Sequence, residues 1–462
     1  MRYISTRGQV EPIEFRQAVM MGLADDGGLL IPESIPDVSD RLEAWGDLSY
    51  PALAFEIIRL FARNIPEADL KELIDRTYGE AFGPAVAPTV PVGNIHILEL
   101  FHGPTLAFKD VALQLLGNVF EYILARTGGE LNILGATSGD TGSAAIYGAR
   151  GRKGIQIFVM HPHRAVSPIQ ARQMTTVLDD NVHNIAVVGS FDDCQRIMKE
   201  LAGDLDFKRS YSLGAVNSVN WARVVAQIVY YVKAASDVCR ATAADAVRVT
   251  VPTGNFGNIL AGWYAMKMGA PISKLILATN RNNILARFFN TGEYSLGQVW
   301  QTLSPSMDIQ VASNFERYLY YRTGCDPERL RAMMEQFAST GCLQVEVAEG
   351  EGVDPAFASD SASEEQTLET IRKYHTEYDY LLDPHTAVGV SVAERLAEGD
   401  GDPIVCLATA HPAKFPEAIV KATGRDIAHH PKIDALMELP TRCTVVPNDK
   451  EKIRRFLVEA IG

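Results

Sequence analysis

The apolar positions of this chain change rhythm once. Over residues 1–92 they recur at helical spacing. Glu14–Ala24 sets Phe15, Val19 and Leu23 on one face and meets a stop at Gly27-Gly28. Leu53–Phe61 and Ala68–Thr77 repeat the pattern, and Pro84, Pro88 and Pro91 then read as a linker. From Asn94 onward short apolar runs alternate with amphipathic stretches. Strands are expected at Ile95–Phe101, Leu131–Ala136, Ile155–Met160, Asn184–Val188, Val247–Val251, Leu275–Ala278 and Ile404–Ala408. Helices are expected at Val111–Leu124, Gly142–Ala149, Asp192–Leu201, Trp221–Ala235, Ile259–Met268 and Pro416–Thr423. This alternation over short loops predicts parallel βαβ units and an α/β fold, preceded by a mainly helical module that reads as a structural cap or dimerisation element. Residues 345–368, with several glutamates, Gly350, Gly352 and serine-rich turns, read as a solvated loop.

Composition narrows the class. A chain of 462 residues is expected to form two or three domains. With 47% apolar and 22% charged residues it resembles ordinary globular proteins. The net charge of −14 argues against nucleic acid or an anionic membrane as partner, so an anionic ligand needs a local cradle. The six cysteines are scattered, with no metal-ligand or redox spacing, and no metal is expected. The first residues carry no apolar leader and no run approaches a membrane span, so a cytoplasmic location is expected.

Four segments carry candidate chemistry. His102-Gly103-Pro104-Thr105-Leu106-Ala107-Phe108-Lys109-Asp110 joins the strand at Ile95 to the helix at Val111. Thr105 reads as an N-cap, which places Lys109 in the first helical turn. The positive helix end and apolar neighbours favour a neutral amine, able to attack an aldehyde. Alone, the segment also reads as a surface lysine beside Asp110. Gly135-Ala136-Thr137-Ser138-Gly139-Asp140-Thr141-Gly142 is a small-residue turn between strand and helix. Its free N–H groups and the hydroxyls of Thr137, Ser138 and Thr141 suit a carboxylate or phosphate, though a plain tight turn fits too. In Pro252-Thr253-Gly254-Asn255-Phe256-Gly257-Asn258 two glycines three apart form a backbone nest. It lacks Gly-Lys-Ser/Thr and Gly-x-Gly-x-x-Gly, so a single phosphate on a small molecule fits better than a nucleotide. Thr409-Ala410-His411-Pro412-Ala413-Lys414-Phe415 follows a strand, where Thr409 can meet a ring nitrogen; His411 and Lys414 read as turn residues.

A reactive lysine, an anion-binding turn, a monophosphate nest and a strand-end hydroxyl together suit pyridoxal phosphate. Lys109 would form the Schiff base and the nest would hold the phosphate. Thr409 would meet the pyridine nitrogen, and the 137–142 turn the substrate carboxylate. An uncharged partner for the ring nitrogen suits elimination and replacement more than transamination.

In these motifs the chain resembles the threonine synthase family, within the fold type II enzymes of pyridoxal phosphate. The resemblance also takes in Tyr3-Ile4-Ser5-Thr6-Arg7-Gly8, Gly22-Leu23-Ala24-Asp25-Asp26-Gly27-Gly28-Leu29 and Asn217-Ser218-Val219-Asn220-Trp221-Ala222-Arg223, and so runs nearly end to end. It implies a large and a small parallel-sheet α/β domain like those of the tryptophan synthase β-subunit. The expected division is 1–92 as N-terminal module, 93–110 with 216–462 as the large domain, and 111–215 as the small one. It implies Lys109 as the cofactor lysine, Gly254, Asn255, Phe256, Gly257 and Asn258 at the cofactor phosphate, Thr409 at the pyridine nitrogen, and Asp140 near the phenolic oxygen. The implied reaction converts O-phospho-L-homoserine and water to L-threonine and phosphate, with Lys109 as the base. Thr137, Ser138, Thr141, Asn217, Ser218 and Arg223 are the implied substrate contacts, with Lys414 and Arg172 as further cations. The serine/threonine dehydratases carry asparagine at the place of Asp140 and a more glycine-rich phosphate loop, so both departures point away from them. A dehydratase or another replacement enzyme is the alternative, and a monomer or homodimer is expected.

Overall fold

The computed structural model describes the chain except for Pro84, Ser138, Ala215, residues 348–351 and 398–400, and the side chain of Glu80. Among the described residues the strands are β1 (Tyr3–Ser5), β2 (Leu30–Pro32), β3 (Thr89–Val92), β4 (Ile95–Glu99), β5 (Leu131–Ala136), β6 (Ile155–Pro162), β7 (Val182–Val188), β8 (Leu213–Gly214), β9 (Val247–Pro252), β10 (Ile272–Thr279), β11 (Glu293–Ser295), β12 (Cys342–Gln344), β13 (Phe357–Ser361), β14 (Ile404–Ala408) and β15 (Thr444–Pro447). They form a larger sheet in the order β13-β10-β9-β14-β4-β3, a smaller one in the order β15-β7-β6-β5-β8, and two two-stranded ribbons. Only β3 runs antiparallel within the two main sheets. Every residue of β9 and β14 is buried, as strands covered on both faces require; β14 is an unbroken apolar run, whereas β9 buries Arg248 and Thr250 between its valines.

Three expectations need correction. Two of the three linker prolines border or belong to an edge strand: β3 pairs antiparallel with β4, and an edge tolerates Pro91. Residues 345–368 are no simple loop. Within them β13 pairs parallel with β10, Phe357 against Leu275, and the helix Glu364–Tyr378 begins. Burial alternates along β13, so its sequence carries only every second apolar signal. The end of the chain does not stay with the larger sheet. β15 pairs with β7, Thr444 against Ile185, and the following helix Lys450–Ile461 buries Ile453 and Leu457 on the smaller sheet.

The N-terminal helices are Phe15–Met21, Tyr50–Phe61 and Glu67–Tyr78. The first stops at Gly22, which takes φ 67°, earlier than the expected Gly27-Gly28. The module lies along the helix Trp221–Thr242. Trp221 is fully buried there, with the rings of Tyr3 and Phe61 centred 5.9 and 5.7 Å away. Asn220, which caps that helix, also donates Nδ2 to the Val19 carbonyl at 2.8 Å. Among the described residues no helix is long and apolar enough to cross a membrane.

Candidate active site

β4, β14 and β9 are neighbours in the larger sheet, and the loops leaving their carboxyl ends carry Lys109, Thr409 and the Gly254–Asn258 turn. Backbone bonds lock the first two together. Phe108 N donates to the Thr409 carbonyl at 2.9 Å, and His411 N to the carbonyl of Leu106 at 3.1 Å. Leu106 takes φ 59° to make this turn. Lys109 then opens the helix Lys109–Thr127. Thr105 is not its cap: the capping position is Phe108, without a side-chain bond. Thr105 donates its hydroxyl and its N–H to Asp110, each at 2.8 Å. Burial raises the Asp110 carboxyl to about 6 despite those bonds.

The Lys109 side chain is only 12% exposed, which excludes the surface-lysine reading. Its Nζ lies 3.4 Å from Ser306 Oγ and 3.8 Å from Asp140 Oδ2. Burial brings the amine down to about 8; Asp140 opposes this, while Lys414 and Arg223 reinforce it. Burial would raise the Asp140 pKa, but Lys414 and then Lys109 overcome it and hold the carboxyl well below its usual range. Lys414 Nζ sits 2.9 Å from Asp140 Oδ1 and donates to the Thr105 carbonyl at 2.8 Å. Gln170 Nε2 and Ser306 Oγ complete the carboxylate's partners at 3.0 and 3.2 Å. Lys414, expected to be a turn residue, is therefore a fully buried counter-ion.

In the phosphate turn the positive φ belongs to Phe256, at 62°, while neither Gly254 nor Gly257 takes one. The Phe256 ring is pinned between Phe289, Phe315 and Tyr318, with centroids 5.9, 5.4 and 5.7 Å away, and that packing holds the strained residue. Phe256 caps the helix Gly257–Lys267, whose first N–H groups open onto the turn. Gly254 is needed for space: a Cβ there would lie 2.7 Å from the Ser306 carbonyl oxygen. Asn258 accepts at Oδ1 from the hydroxyls of Tyr230 and Tyr231, at 2.5 and 3.0 Å. Among the described residues its buried Nδ2 has no partner. A helix N-terminus, a backbone without a Cβ and a spare buried donor fit a phosphate group.

Profiles of known families match along the chain: "Threonine synthase N terminus" over residues 2–78, "Pyridoxal-phosphate dependent enzyme" over 87–360 and "Threonine synthase, C-terminal" over 386–457. The threonine synthase of Pseudomonas aeruginosa is 48% identical, across 99% of this chain and 98% of its own. The chain belongs to the threonine synthase family. The threonine synthase of Saccharomyces cerevisiae is 44% identical over 99% of this chain and 96% of its own. A crystal structure of PLP-bound threonine synthase from Brucella melitensis superposes with a TM-score of 0.95 at 42% identity, covering 100% of this chain and 99% of that one. The fold is that of the fold type II enzymes, and the cofactor is pyridoxal phosphate.

Within this threonine synthase frame the remaining expected residues divide. Ser138 lies outside the described residues. The Thr137 hydroxyl is engaged by its own turn, accepting from Gly139 N and Gly142 N at 3.0 and 2.9 Å. Thr141 is half-buried in the first turn of the helix Asp140–Ala149. Asn217 accepts from Val219 N at 3.2 Å, and Ser218 Oγ lies 2.6 Å from Ser313 Oγ. Arg223 is buried and donates to the Asn217 carbonyl at 2.8 Å, and among the described residues its Nε has no partner. Arg172 is turned away, donating to the carbonyls of Leu436 and Leu439. Sequence reasoning missed Ser306 and the dyad behind it. His385 Nε2 accepts from Ser306 N at 3.2 Å while Nδ1 faces Asp383 Oδ1 at 2.8 Å. Asp383 caps the helix Pro384–Leu396 with Pro384 in its first turn, and nothing in that local pattern aims it at Lys109.

Gly254→Val is expected to weaken pyridoxal phosphate binding at least tenfold by equilibrium titration, because its side chain must displace the Ser306 backbone; unchanged affinity would refute the nest. Covalent capture of the cofactor by the apo-protein, fixed with borohydride and counted at Lys109, should rise about tenfold from pH 7 to pH 9 and then level off. An ordinary lysine would keep climbing past pH 10. The sign for stability is the same: between pH 8 and 10.5 the unfolded chain binds more protons at this lysine, so the apo-protein gains stability as pH rises.

Proposed function

We propose that this enzyme converts O-phospho-L-homoserine and water to L-threonine and phosphate. The observation that carries the reading is the buried Lys109 amine, poised near neutrality beside Thr409 and Asp140, with the Gly254–Asn258 turn one side chain away through Ser306. Bound pyridoxal phosphate supplies the electron sink that acidifies the carbon next to the substrate's amine. Lys109, once displaced by that amine, takes and returns protons on the substrate carbons, and a pKa of about 8 suits both directions. Asp140 stays ionised through Lys414 and gives the freed lysine a fixed counter-charge.

The leaving phosphate needs a donor that is not already neutralised. Arg223 supplies one, because among the described residues no carboxylate pairs with it and it lies close enough to depress the Lys109 pKa. Asn217 and Ser218 border it, and Thr137 and Thr141 shape the turn assigned to the substrate carboxylate. The six free cysteines support a cytoplasmic location, which fractionation of cells would test. Sedimentation would decide between monomer and homodimer.

Incubation of the reconstituted protein with O-phospho-L-homoserine should yield threonine and equimolar phosphate. Lys109→Ala should still bind the cofactor without a covalent bond but lose turnover by roughly a thousandfold or more. Turnover of free serine or threonine to a keto acid, with phosphohomoserine untouched, would move the assignment to a dehydratase. Arg223→Gln should raise KM for phosphohomoserine by about ten- to a hundredfold while cofactor affinity holds; an unchanged KM would remove Arg223 from the phosphate site.

A further inference from the structure

Arg317 is wholly buried, yet among the described residues no carboxylate pairs with it. Its guanidinium instead gathers oxygens from two distant stretches and from Asn314, at the start of its own helix Phe315–Arg322. Nε and Nη2 donate to the Leu30 carbonyl on β2 at 3.1 and 2.9 Å, Nη2 also donates to the Val219 carbonyl, and Nη1 to Asn314 Oδ1. Arg317 can only donate, so Asn314 must turn its oxygen toward it and its amide nitrogen away. That nitrogen donates to the carbonyls of Ser218 and Asn255, at 3.1 and 3.3 Å, and Asn314 N reaches the same Asn255 oxygen at 3.1 Å. In a trans peptide N–H and C=O point opposite ways. Pinning the Asn255 carbonyl from outside therefore aims the Phe256 N–H into the turn. The neighbouring Glu316 is gripped from the same side, accepting from the Thr6 hydroxyl at 2.7 Å and pairing with Arg7 at 3.0 Å.

We propose that Arg317 is a positioning residue through which the N-terminal module sets the geometry of the cofactor-phosphate nest and of the adjoining 217–220 turn. The inference rests on the reading of Gly254–Asn258 as that nest. It gives the module a part in catalysis beyond capping: Leu30 on β2 holds Arg317, and Thr6 and Arg7, just after β1, hold the adjoining Glu316. A planar five-donor fork is suited to the task, whereas a lysine at this place cannot span Leu30, Val219 and Asn314 together.

The test measures pyridoxal phosphate dissociation constants and the phosphorus-31 resonance of the bound cofactor for Arg317→Lys, Asn314→Ala and the double variant, with circular dichroism and melting temperature as the check on folding. Each single variant should bind the cofactor about five- to tenfold more weakly and shift the resonance. The double variant should do no worse than the poorer single one, because both act through one peptide. Wild-type affinity and an unmoved resonance in both singles would overturn the proposal, as would strictly additive losses. Should Arg317→Lys fail to fold, Asn314→Ala alone decides by the same two readings. If Gly254→Val weakens binding while these variants do not, only the positioning role falls; if Gly254→Val is also silent, the nest itself is misplaced.

Discussion

The buried pair of Asp140 and Lys414 is the constraint that the site is built around. Two charges taken out of water are costly unless each is fully partnered, and removing one partner of such a pair typically costs about 3–5 kcal/mol. Here the partnering is complete: Lys414 has the Asp140 carboxylate and the Thr105 carbonyl, and Asp140 has Lys414, Gln170 and Ser306. Lys109 sits at the edge of this arrangement, close enough to feel both charges and buried enough for its own to be disfavoured. Lys414 and Lys109 act on Asp140, Lys414 acts also on Asp110, whose carboxyl burial raises to about 6, and Arg223 adds a third buried cation near Lys109. A site left with an excess of positive charge is one that phosphate-bearing ligands complete.

The fold delivers these groups through the order of its strands. β4, β14 and β9 are adjacent but far apart in sequence, and each sends a different functional loop to the same sheet edge. The acid comes from the other sheet, at the head of the helix after β5. Ser306, from a loop between β11 and β12, touches both Lys109 and Asp140 and abuts Gly254. No single segment could have been recognised as catalytic by itself.

That division sets what the sequence could disclose. β5 and β14 and the helix Pro416–Thr423 were read to the residue: β14 is a continuous apolar run, β5 is nearly one, and the helix has a proline at its start and Gly424 after its end. Lys109 and the Gly254–Asn258 turn were singled out as contiguous motifs, and only the set of four segments together gave them a shared chemistry. Lys414 was misread because its role depends on a carboxylate 274 positions away (Asp140 to Lys414) that no local pattern connects. Ser306 and His385 left no signal for the same reason. The two glycines of the phosphate turn are visible in the sequence, but the positive φ falls on Phe256, where a buried aromatic cluster holds it. β13 and β15 were lost because these edge strands bury little: alternate positions at the start of β13, and Val446 alone in β15.

The pairing of β15 with β7 has a consequence for how the protein is made. β7 ends at Val188, yet its outer neighbour begins only at Thr444. On a ribosome that adds residues from the N-terminus, the smaller sheet therefore waits through most of translation with one border of N–H and C=O groups unpaired. Only when residues 444–447 have emerged is that border of β7 paired, and β15 then takes over as the edge.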